Sequence, residues 1–390
     1  MSKPTLGIGM AGYAFMGRAH SQAWRTVGNF FDIPMRVDLA AICGRDSEKV
    51  AAAAETLGWR TFETDWRALI ERDDIHLVDV CTPGSSHAEI AIAALDAGKH
   101  VLCEKPLANT EAEAAAMVEA AERAAGKGIR AMVGFNYRRL PATMLAHHLV
   151  AQGKLGIIRH VRAVYLQDWI VDPEFPLVWR LRQEAAGSGA LGDLGAHIVD
   201  LSQFITGQRI SSVSAMTETF VRERPLPSHT DNGARGPVTV DDAALFLARL
   251  DGGAVASYEA SRFATGRKNA LRLEVNGSLG SLVFDLERLN ELEFYDSSDP
   301  TARQGFTRIL VTEPDHPYVA AWWPPGHGLG YEHSFTHEVR DLIHGIAEGT
   351  EPRPSFADGF QVQRVLDAVA RSAAESSGWV TLGQPATTRS

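Results

Sequence analysis

The sequence predicts an α/β protein of two domains, a doubly wound parallel sheet followed by a domain of antiparallel strands and helices. Three observations carry that expectation. A chain of 390 residues is too long for one ordinary core. Its first third alternates short apolar runs with helix-length segments, the mark of βαβ units. Beyond it, strand-length runs follow one another across tight turns, which means antiparallel pairing.

The elements come in this order. Thr5–Ala11 is a short apolar run, and Phe15–Val27 follows with helical periodicity. Val37–Cys43 reads as a strand, Ser47–Leu57 as a helix, then come a short segment near Thr61 and the helical Trp66–Ile70. "HLVDVCTP" is strand-like, His87–Ala97 helical, "HVLCEKP" strand-like and Glu111–Ala125 an Ala/Glu-rich helix. "IRAMVGFN" closes the series, so the first domain is expected over residues 1–135 and the second over 136–390. In the second, Ile157–Trp169, Ile210–Val221, Ala243–Leu250 and Ala254–Phe263 are strand candidates, the last two joined by Asp251-Gly252-Gly253. Leu271–Val275 and Leu282–Asp285 flank Asn276-Gly277, a hairpin signal. Arg222–Pro237 and His316–Gly330 are expected loops, and Tyr331–Glu348 and Phe356–Ser376 expected helices.

The opening "TLGIGMAGYAFMGRAH" fits a phosphate-cradling turn in two registers. Gly7, Gly9 and Gly12 spell G-x-G-x-x-G. Gly12, Ala14 and Gly17 spell it with alanine in the middle. The first register would put Pro4 inside a six-residue central strand, where a residue without an N–H cannot serve the ladder. The second makes Thr5–Ala11 the strand and Phe15 the helix start, a strand–turn–helix phosphate site. Gly12, Ala14, Phe15, Met16 and Gly17 are therefore candidate dinucleotide contacts, and Gly7 and Gly9 become strand positions of close packing. A methyl at Ala14 crowds the pyrophosphate approach but is tolerable.

Where an acid usually holds the ribose, "AAICGRDSEK" offers Gly44 and Arg45, with Asp46 slightly late. Arg45 would suit a 2′-phosphate and NADP; Asp46 would suit the ribose of NAD, or simply cap a helix. Thr82-Pro83, with His87 starting the next helix, and Glu104-Lys105-Pro106 fall at strand ends, on the carboxyl edge where open sheets bind ligand. Lys105, between an acid and a proline, is placed to aim its charge at a substrate oxygen. In "GSGALGDLGAHIVDLSQFITG", Asp193, His197 and Asp200 stand at i, i+4 and i+7, beside an apolar stripe of Leu194, Ile198, Leu201 and Ile205. A histidine with a carboxylate one turn away is an oriented acid/base near neutral pH.

Composition narrows the partners. A formal net charge of −10 with no dense Lys/Arg cluster argues against nucleic acid and anionic membranes. No apolar run approaches membrane-spanning length. The glycine-rich N-terminus leads straight into a helical pattern and is not read as a signal peptide. Cys43, Cys81 and Cys103 form no C-x-x-C pair and suit a reducing compartment, so the cytoplasm is the expected address. His333 and His337 are spaced i, i+4, but without H-E-x-x-H or a third ligand no metal is expected.

Gly12-x-Ala14-x-x-Gly17, Thr82-Pro83, Glu104-Lys105-Pro106 and Asp193-x-x-x-His197 occur in an order and spacing that resembles the glucose–fructose oxidoreductase/inositol dehydrogenase/MocA (Gfo/Idh/MocA) family. The likeness covers nearly the whole chain. It is strongest to the family's sugar dehydrogenases, through "GFNYRRLPA", "YLQDW", "WR" and "SFADGFQV". The resemblance implies an N-terminal Rossmann domain, a C-terminal α+β domain with a large open, mostly antiparallel sheet, and homodimers or homotetramers. It implies Lys105, Asp193 and His197 as the catalytic set, with Glu104 beside the cofactor, and NAD or NADP as cofactor, NAD preferred. Asn136, Tyr137, Arg138, Gln167, Trp179, Arg180 and His333 join the three as substrate contacts, since amides, acids and indole faces suit polyhydroxylated rings. The expected function is hydride transfer between a secondary alcohol of a sugar, anhydrosugar, glycoside or polyol and nicotinamide. The alternatives are an NADPH-dependent keto-sugar reductase and a glycosidase using bound NAD in an internal redox cycle.

Overall fold

Six parallel strands carry the first third of the chain. β1 (Thr5–Ala11), β2 (Arg36–Cys43), β3 (Thr61–Glu63), β4 (Leu77–Val80), β5 (His100–Glu104) and β6 (Ala131–Gly134) pair in the order β3-β2-β1-β4-β5-β6. This is the Rossmann order, and its reversal between β1 and β4 opens a crevice at the carboxyl ends of those strands. The connections run through α1 (Phe15–Phe30), α2 (Ser47–Leu57), α3 (Trp66–Glu71), α4 (His87–Asp96) and α5 (Glu111–Ala125). Their ends obey local rules. Asp46 caps α2 and Gly58, at φ +80°, closes it; Thr110 and Glu113 form a reciprocal capping box on α5.

The structure is a computed structural model that describes residues 3–227 and 233–383. Internal contacts divide the chain into two units, each made of two stretches. The first takes the chain up to Leu140 and Tyr318–Gln361; the second takes Pro141–Pro317 and the chain from Val362 onward.

The second unit begins with α6 (Pro141–Ala151), β7 (Ile158–Leu166), α7 (Gln183–Ala186) and α8 (Ala196–Thr206). Its strands continue with β8 (Ile210–Glu218), β9 (Glu223–Pro225), β10 (Arg235–Pro237), β11 (Ala243–Leu250) and β12 (Val255–Ser261). Then come β13 (Ala270–Gly277), β14 (Gly280–Asp285), β15 (Glu291–Asp296) and β16 (Thr307–Leu310). With β17 (Val380–Thr381), nine of them form one sheet in the order β16-β15-β14-β13-β7-β12-β11-β8-β17. Every pair in it is antiparallel except β7 with β12. The expected loop Arg222–Pro237 contains the short hairpin β9–β10; its residues 228–232 lie outside the described residues. α6, α7, β15, β16 and β17 add to the expected elements.

Alternation decides which way the large sheet faces. In β11, Phe246, Ala248 and Leu250 are buried, and the Phe246 ring stacks on Tyr258, whose hydroxyl bonds Ser202 of α8 at 2.8 Å. The opposite face presents Leu245 and Leu247, the latter 55% exposed, with Met216 of β8.

Two helices complete the chain: α9 (Tyr331–Glu348), in the first unit, and α10 (Phe356–Ala374), within which the division falls. Phe335, Val339, Leu342 and Ile343 of α9 are fully buried at i, i+4, i+7 and i+8. They join Trp24 and Val27 of α1 in one core cluster. Each such side chain removed from water stabilises the unit by roughly 1.5–3 kcal/mol. Among the described residues no helix is long and apolar enough to cross a membrane.

Candidate active site

The turn after β1 is built for a close approach. Gly12 has φ +105°, and a Cβ there would lie 2.6 Å from the Cys81 carbonyl oxygen. A Cβ on Gly17 would lie 2.2 Å from the Gly12 carbonyl oxygen. Both positions therefore exclude a side chain. Ala14 stands at the N-cap of α1 with no side-chain cap bond, and the first turn carries no acid. The first amides of α1 and its positive end are thus left for an anion, which is how a dinucleotide pyrophosphate is held. Gly7 and Gly9 lie inside β1, where a Cβ would meet the Asp74 carbonyl oxygen at 1.9 Å and Ile75 Cδ1 at 2.7 Å. They pack the sheet against its flank. Phe15 is 61% exposed and stacks on Tyr331 (6.2 Å between centroids), whereas Met16 packs against the core.

At the end of β2 the Tyr13 ring covers Gly44, where a Cβ would lie 2.0 Å from a ring carbon, and Arg45 is exposed. Asp46 accepts from the Lys49 amide at 3.1 Å and pairs with its ammonium at 2.7 Å. The hydrogen bond from Lys49 holds its carboxyl below the ordinary value. It acts as a helix cap.

The ends of β4 and β5 are tied together by a histidine. His87, 1% exposed, sets Nδ1 2.9 Å from the Pro106 carbonyl oxygen and Nε2 2.8 Å from that of Thr82. The Thr82 hydroxyl accepts from Ser86 at 2.7 Å. On the other side of Lys105, Glu104 Oε2 accepts the Lys105 backbone amide at 2.9 Å, and Oε1 lies 2.9 Å from His20 Nε2. His20 Nδ1 meets Asp79 Oδ2 at 2.9 Å, and the Trp24 indole donates to the same oxygen at 2.7 Å. His20, Asp79, Trp24 and Glu104 are all buried. His20, Asp79 and Trp24 are absent from the sequence-based candidates. The available signal was a polar residue, His20, in the stripe His20, Trp24 and Val27 that α1 buries.

In the second unit the segment ahead of α8 departs from the expected geometry. Leu191–Gly195 forms a π-helical turn, and α8 proper starts at Ala196. Asp193 therefore sits on the wider turn and His197 on the α-helix, so i, i+4 spacing does not translate into one regular α-helical face. Asp241 organises the turn: its carboxylate accepts the Gly189 amide at 2.7 Å and the Leu191 amide at 2.8 Å. A Cβ on Gly189 would meet the Asp241 carbonyl oxygen at 1.7 Å. Asp193 is half-buried with Oδ2 3.9 Å from Nη1 of the buried Arg262. His197, 7% exposed, meets the Tyr165 ring edge-on at 5.8 Å, while Asp200 is buried. The Tyr165 hydroxyl and the Gln167 amide both donate to Asn269 Oδ1, at 2.8 and 2.7 Å. Trp179 is 38% exposed with the Arg180 guanidinium 4.5 Å over its ring, a pair open to solvent.

The remaining candidates belong to the first unit and are mostly engaged within it. Asn136 Nδ2 donates to Ser334 Oγ at 2.8 Å, Tyr137 meets the Tyr331 ring edge-on, and Arg138 lies 4.0 Å from Asp358. His333 Nδ1 accepts the Gly330 amide at 3.0 Å, and Trp322 packs edge-on against its ring. His337 has Nε2 taken by the Trp322 indole at 2.7 Å and Nδ1 2.8 Å from the Arg139 carbonyl oxygen. Both its nitrogens serve packing.

Comparison with known proteins agrees with this architecture. Residues 6–135 match the profile of the oxidoreductase family with an NAD-binding Rossmann fold, and residues 143–283 that of the GFO/IDH/MocA C-terminal domain. Levoglucosan dehydrogenase of Pseudarthrobacter phenanthrenivorans is 44% identical over 97% of this chain and 98% of its own. A crystal structure of an oxidoreductase domain protein from Kribbella flavida superposes with a TM-score of 0.95, at 66% identity, covering 98% of this chain and 100% of that one. Levoglucosan dehydrogenase in complex with NADH and levoglucosan superposes with a TM-score of 0.92, at 43% identity, covering 97% and 100%. A glycine turn shaped for pyrophosphate, the Rossmann strand order and two consecutive profile matches make this chain a member of the Gfo/Idh/MocA family of NAD-binding oxidoreductases.

Proposed function

We propose that the protein is an NAD-dependent dehydrogenase that oxidises a secondary alcohol of a sugar, with an anhydrosugar of the levoglucosan type as the first substrate to try. One observation carries the reading: end-to-end similarity to levoglucosan dehydrogenase, at 44% identity to one such enzyme and 43% to a solved levoglucosan dehydrogenase in complex with NADH and levoglucosan. Gly12, Ala14, Phe15 and Gly17 would hold the pyrophosphate at the start of α1, and Thr82, Pro83 and Glu104-Lys105 would line the rest of the cofactor site. When bound, NAD supplies the hydride acceptor. His197 takes the hydroxyl proton as general base, its neutral form being available near pH 7. Lys105 donates to the same oxygen and stabilises the developing alkoxide. Asp193 orients the substrate or His197, and Asn136, Gln167, Trp179, Arg180 and His333 offer polar and aromatic groups to a polyhydroxylated ring.

The test is spectroscopic. Purified protein with NAD and levoglucosan, monosaccharides or inositols should build up NADH absorbance. Lys105→Ala and His197→Ala should each lower turnover about 100-fold, the equivalent of losing roughly 3 kcal/mol of transition-state stabilisation. Glycosidic bond cleavage without net NADH would support the internal redox cycle instead, and full turnover in either variant would overturn the roles assigned.

The exposed face of the large sheet, with Met216, Leu245 and Leu247, supports self-association as a homodimer or homotetramer. Leu247→Glu should then shift light-scattering mass toward the monomer, and an unchanged mass would remove that face from the interface. The three free, buried cysteines suit the reducing cytoplasm as the site of action.

A further inference from the structure

A buried chain of ionisable groups stands behind Lys105, and no role in the reaction is yet attached to it. It runs from Asp79 at the end of β4 through His20 of α1 to Glu104 at the end of β5, and ends at the Lys105 backbone amide. Every link is 2.9 Å, and His20 and Asp79 are 0% exposed. We propose that His20 is a positioning residue whose imidazolium joins Asp79 to Glu104 and thereby fixes the peptide that aims the Lys105 ammonium at the substrate oxygen. The inference rests on the assignment of Lys105 made above.

The chemistry of the partners sets the protonation state. Carboxylate oxygens only accept hydrogen bonds, and a neutral imidazole has one N–H to give. With a carboxylate at each ring nitrogen, both bonds form only when both nitrogens are protonated. The cation is then shared between two anions, which offsets the cost of burying all three. Desolvation works against the charge on His20, yet the adjacent Asp79 carboxylate carries its pKa well above the ordinary value. Burial likewise opposes the Glu104 anion, and the His20 bond holds its carboxyl below the ordinary value despite that.

Of the groups facing this chain, His20 acts on Glu104 most strongly, and the Lys105 ammonium adds a weaker positive charge on the same carboxylate. Cys81 donates its thiol to Asp79 Oδ1 at 3.4 Å, and burial pushes both Cys81 and Cys103 upward, so these remain thiols. From α9, Tyr331 is raised and Glu338 is pushed up to about 8, so both are neutral near pH 7. Arg139 adds a positive charge that opposes the rise at Glu338. The Phe335 ring closes the remaining side of His20, with centroids 5.2 Å apart. A neutral amide at position 20 therefore removes the larger of the two positive charges that favour the Glu104 anion against burial, leaving that of Lys105.

The test uses the full-length enzyme with NAD and its sugar. In His20→Gln, kcat is expected to fall at least about tenfold, because small displacements of a reacting group are costly. The acid limb of its pH–kcat profile is expected to move up by about one pH unit or more, as Glu104 takes a proton it formerly lacked. A merely structural role would reduce the folded fraction without moving that limb. Turnover within twofold of wild type and an unmoved limb, with Lys105→Ala inactive, overturns this inference alone. Full turnover in Lys105→Ala overturns the assignment of Lys105 and this inference with it. Where His20→Gln does not fold, nitrogen NMR of the unmutated, histidine-labelled holoenzyme decides: a doubly protonated His20 ring at pH 8 supports the strut, and a neutral ring there overturns it.

Discussion

Raising the pH from 5 to 8 should cost the first unit stability, because one glutamic acid in its core holds on to a proton that the unfolded chain gives up. Glu338 of α9 is 0% exposed, and neither carboxyl oxygen has a hydrogen-bond partner among the described residues. Burial raises its pKa from 4.5 to about 8, with the Glu104 and Asp79 carboxylates adding to the rise and His20 opposing it. Below pH 4.5 folded and unfolded chains both carry the proton and the group has no effect. Between 4.5 and 8 the unfolded chain releases it while the folded one retains it. The folded state therefore loses about 1.4 kcal/mol per pH unit, or about 3 kcal/mol by pH 7, and the loss levels off above pH 8. Glu338→Gln carries no such proton. Its melting temperature should exceed that of wild type by an amount that grows with pH. The gap should widen by on the order of 10 °C between pH 5 and pH 8 for a unit of this size. Differential scanning fluorimetry of the two proteins in parallel buffers measures this directly, since groups common to both cancel in the difference. Parallel melting curves across that range would refute the reasoning, because they would mean that Glu338 is already ionised in the fold or reaches water.

Gly12→Ala should cost NAD affinity and roughly 1–3 kcal/mol of stability, because the residue is held at φ +105° with the Cys81 carbonyl oxygen 2.6 Å from the new carbon. Isothermal titration with NAD and a melting curve read the two effects separately. Asp241→Asn should weaken the two amide bonds that organise the π-helical turn, costing roughly 1.5–3 kcal/mol in stability. If that turn sets Asp193, kcat should fall as well; a variant with lowered stability and normal kcat would separate the turn from the chemistry.

The alternation of strands and helices was legible because βαβ units write their period into the sequence, and β1 and α1 begin where the apolar pattern places them. Pro4 settled the glycine register for a reason the structure repeats: Gly7 and Gly9 lie inside β1, and only Gly12 takes the left-handed turn. What was not legible is long-range. The stripe of α9 is amphipathic, but nothing in Phe335, Val339, Leu342 and Ile343 names α1 as the surface they cover. The π-helical turn at Leu191–Gly195 was hidden in part because the carboxylate that holds the amides at its start belongs to Asp241, some fifty residues downstream. β15 and β16 escaped notice for a different reason. Their charged residues lie on an edge of the sheet, where the burial that makes a strand conspicuous is weak.

His20 and His87 show why residue type and burial alone could not have assigned these roles. Both rings are at most 1% exposed, and both bridge two acceptors in the same half of the first unit. Burial disfavours the cation in each. His20 faces two carboxylates; desolvation is outweighed, with the Asp79 charge the largest of the raising causes, and its pKa is raised. His87 faces two backbone carbonyls, whose dipoles do not, and its pKa is lowered. Near neutral pH the turn bearing Lys105 is thus flanked on one side by the proposed ion triad and on the other by a neutral ring, which has one N–H to give to one of its two carbonyls. If His197 and Lys105 act as proposed, neither support changes its charge while the substrate gives up its proton. A lysine meant to stabilise alkoxide at a fixed distance needs that constancy, and the sequence expresses it only through which oxygen each imidazole meets.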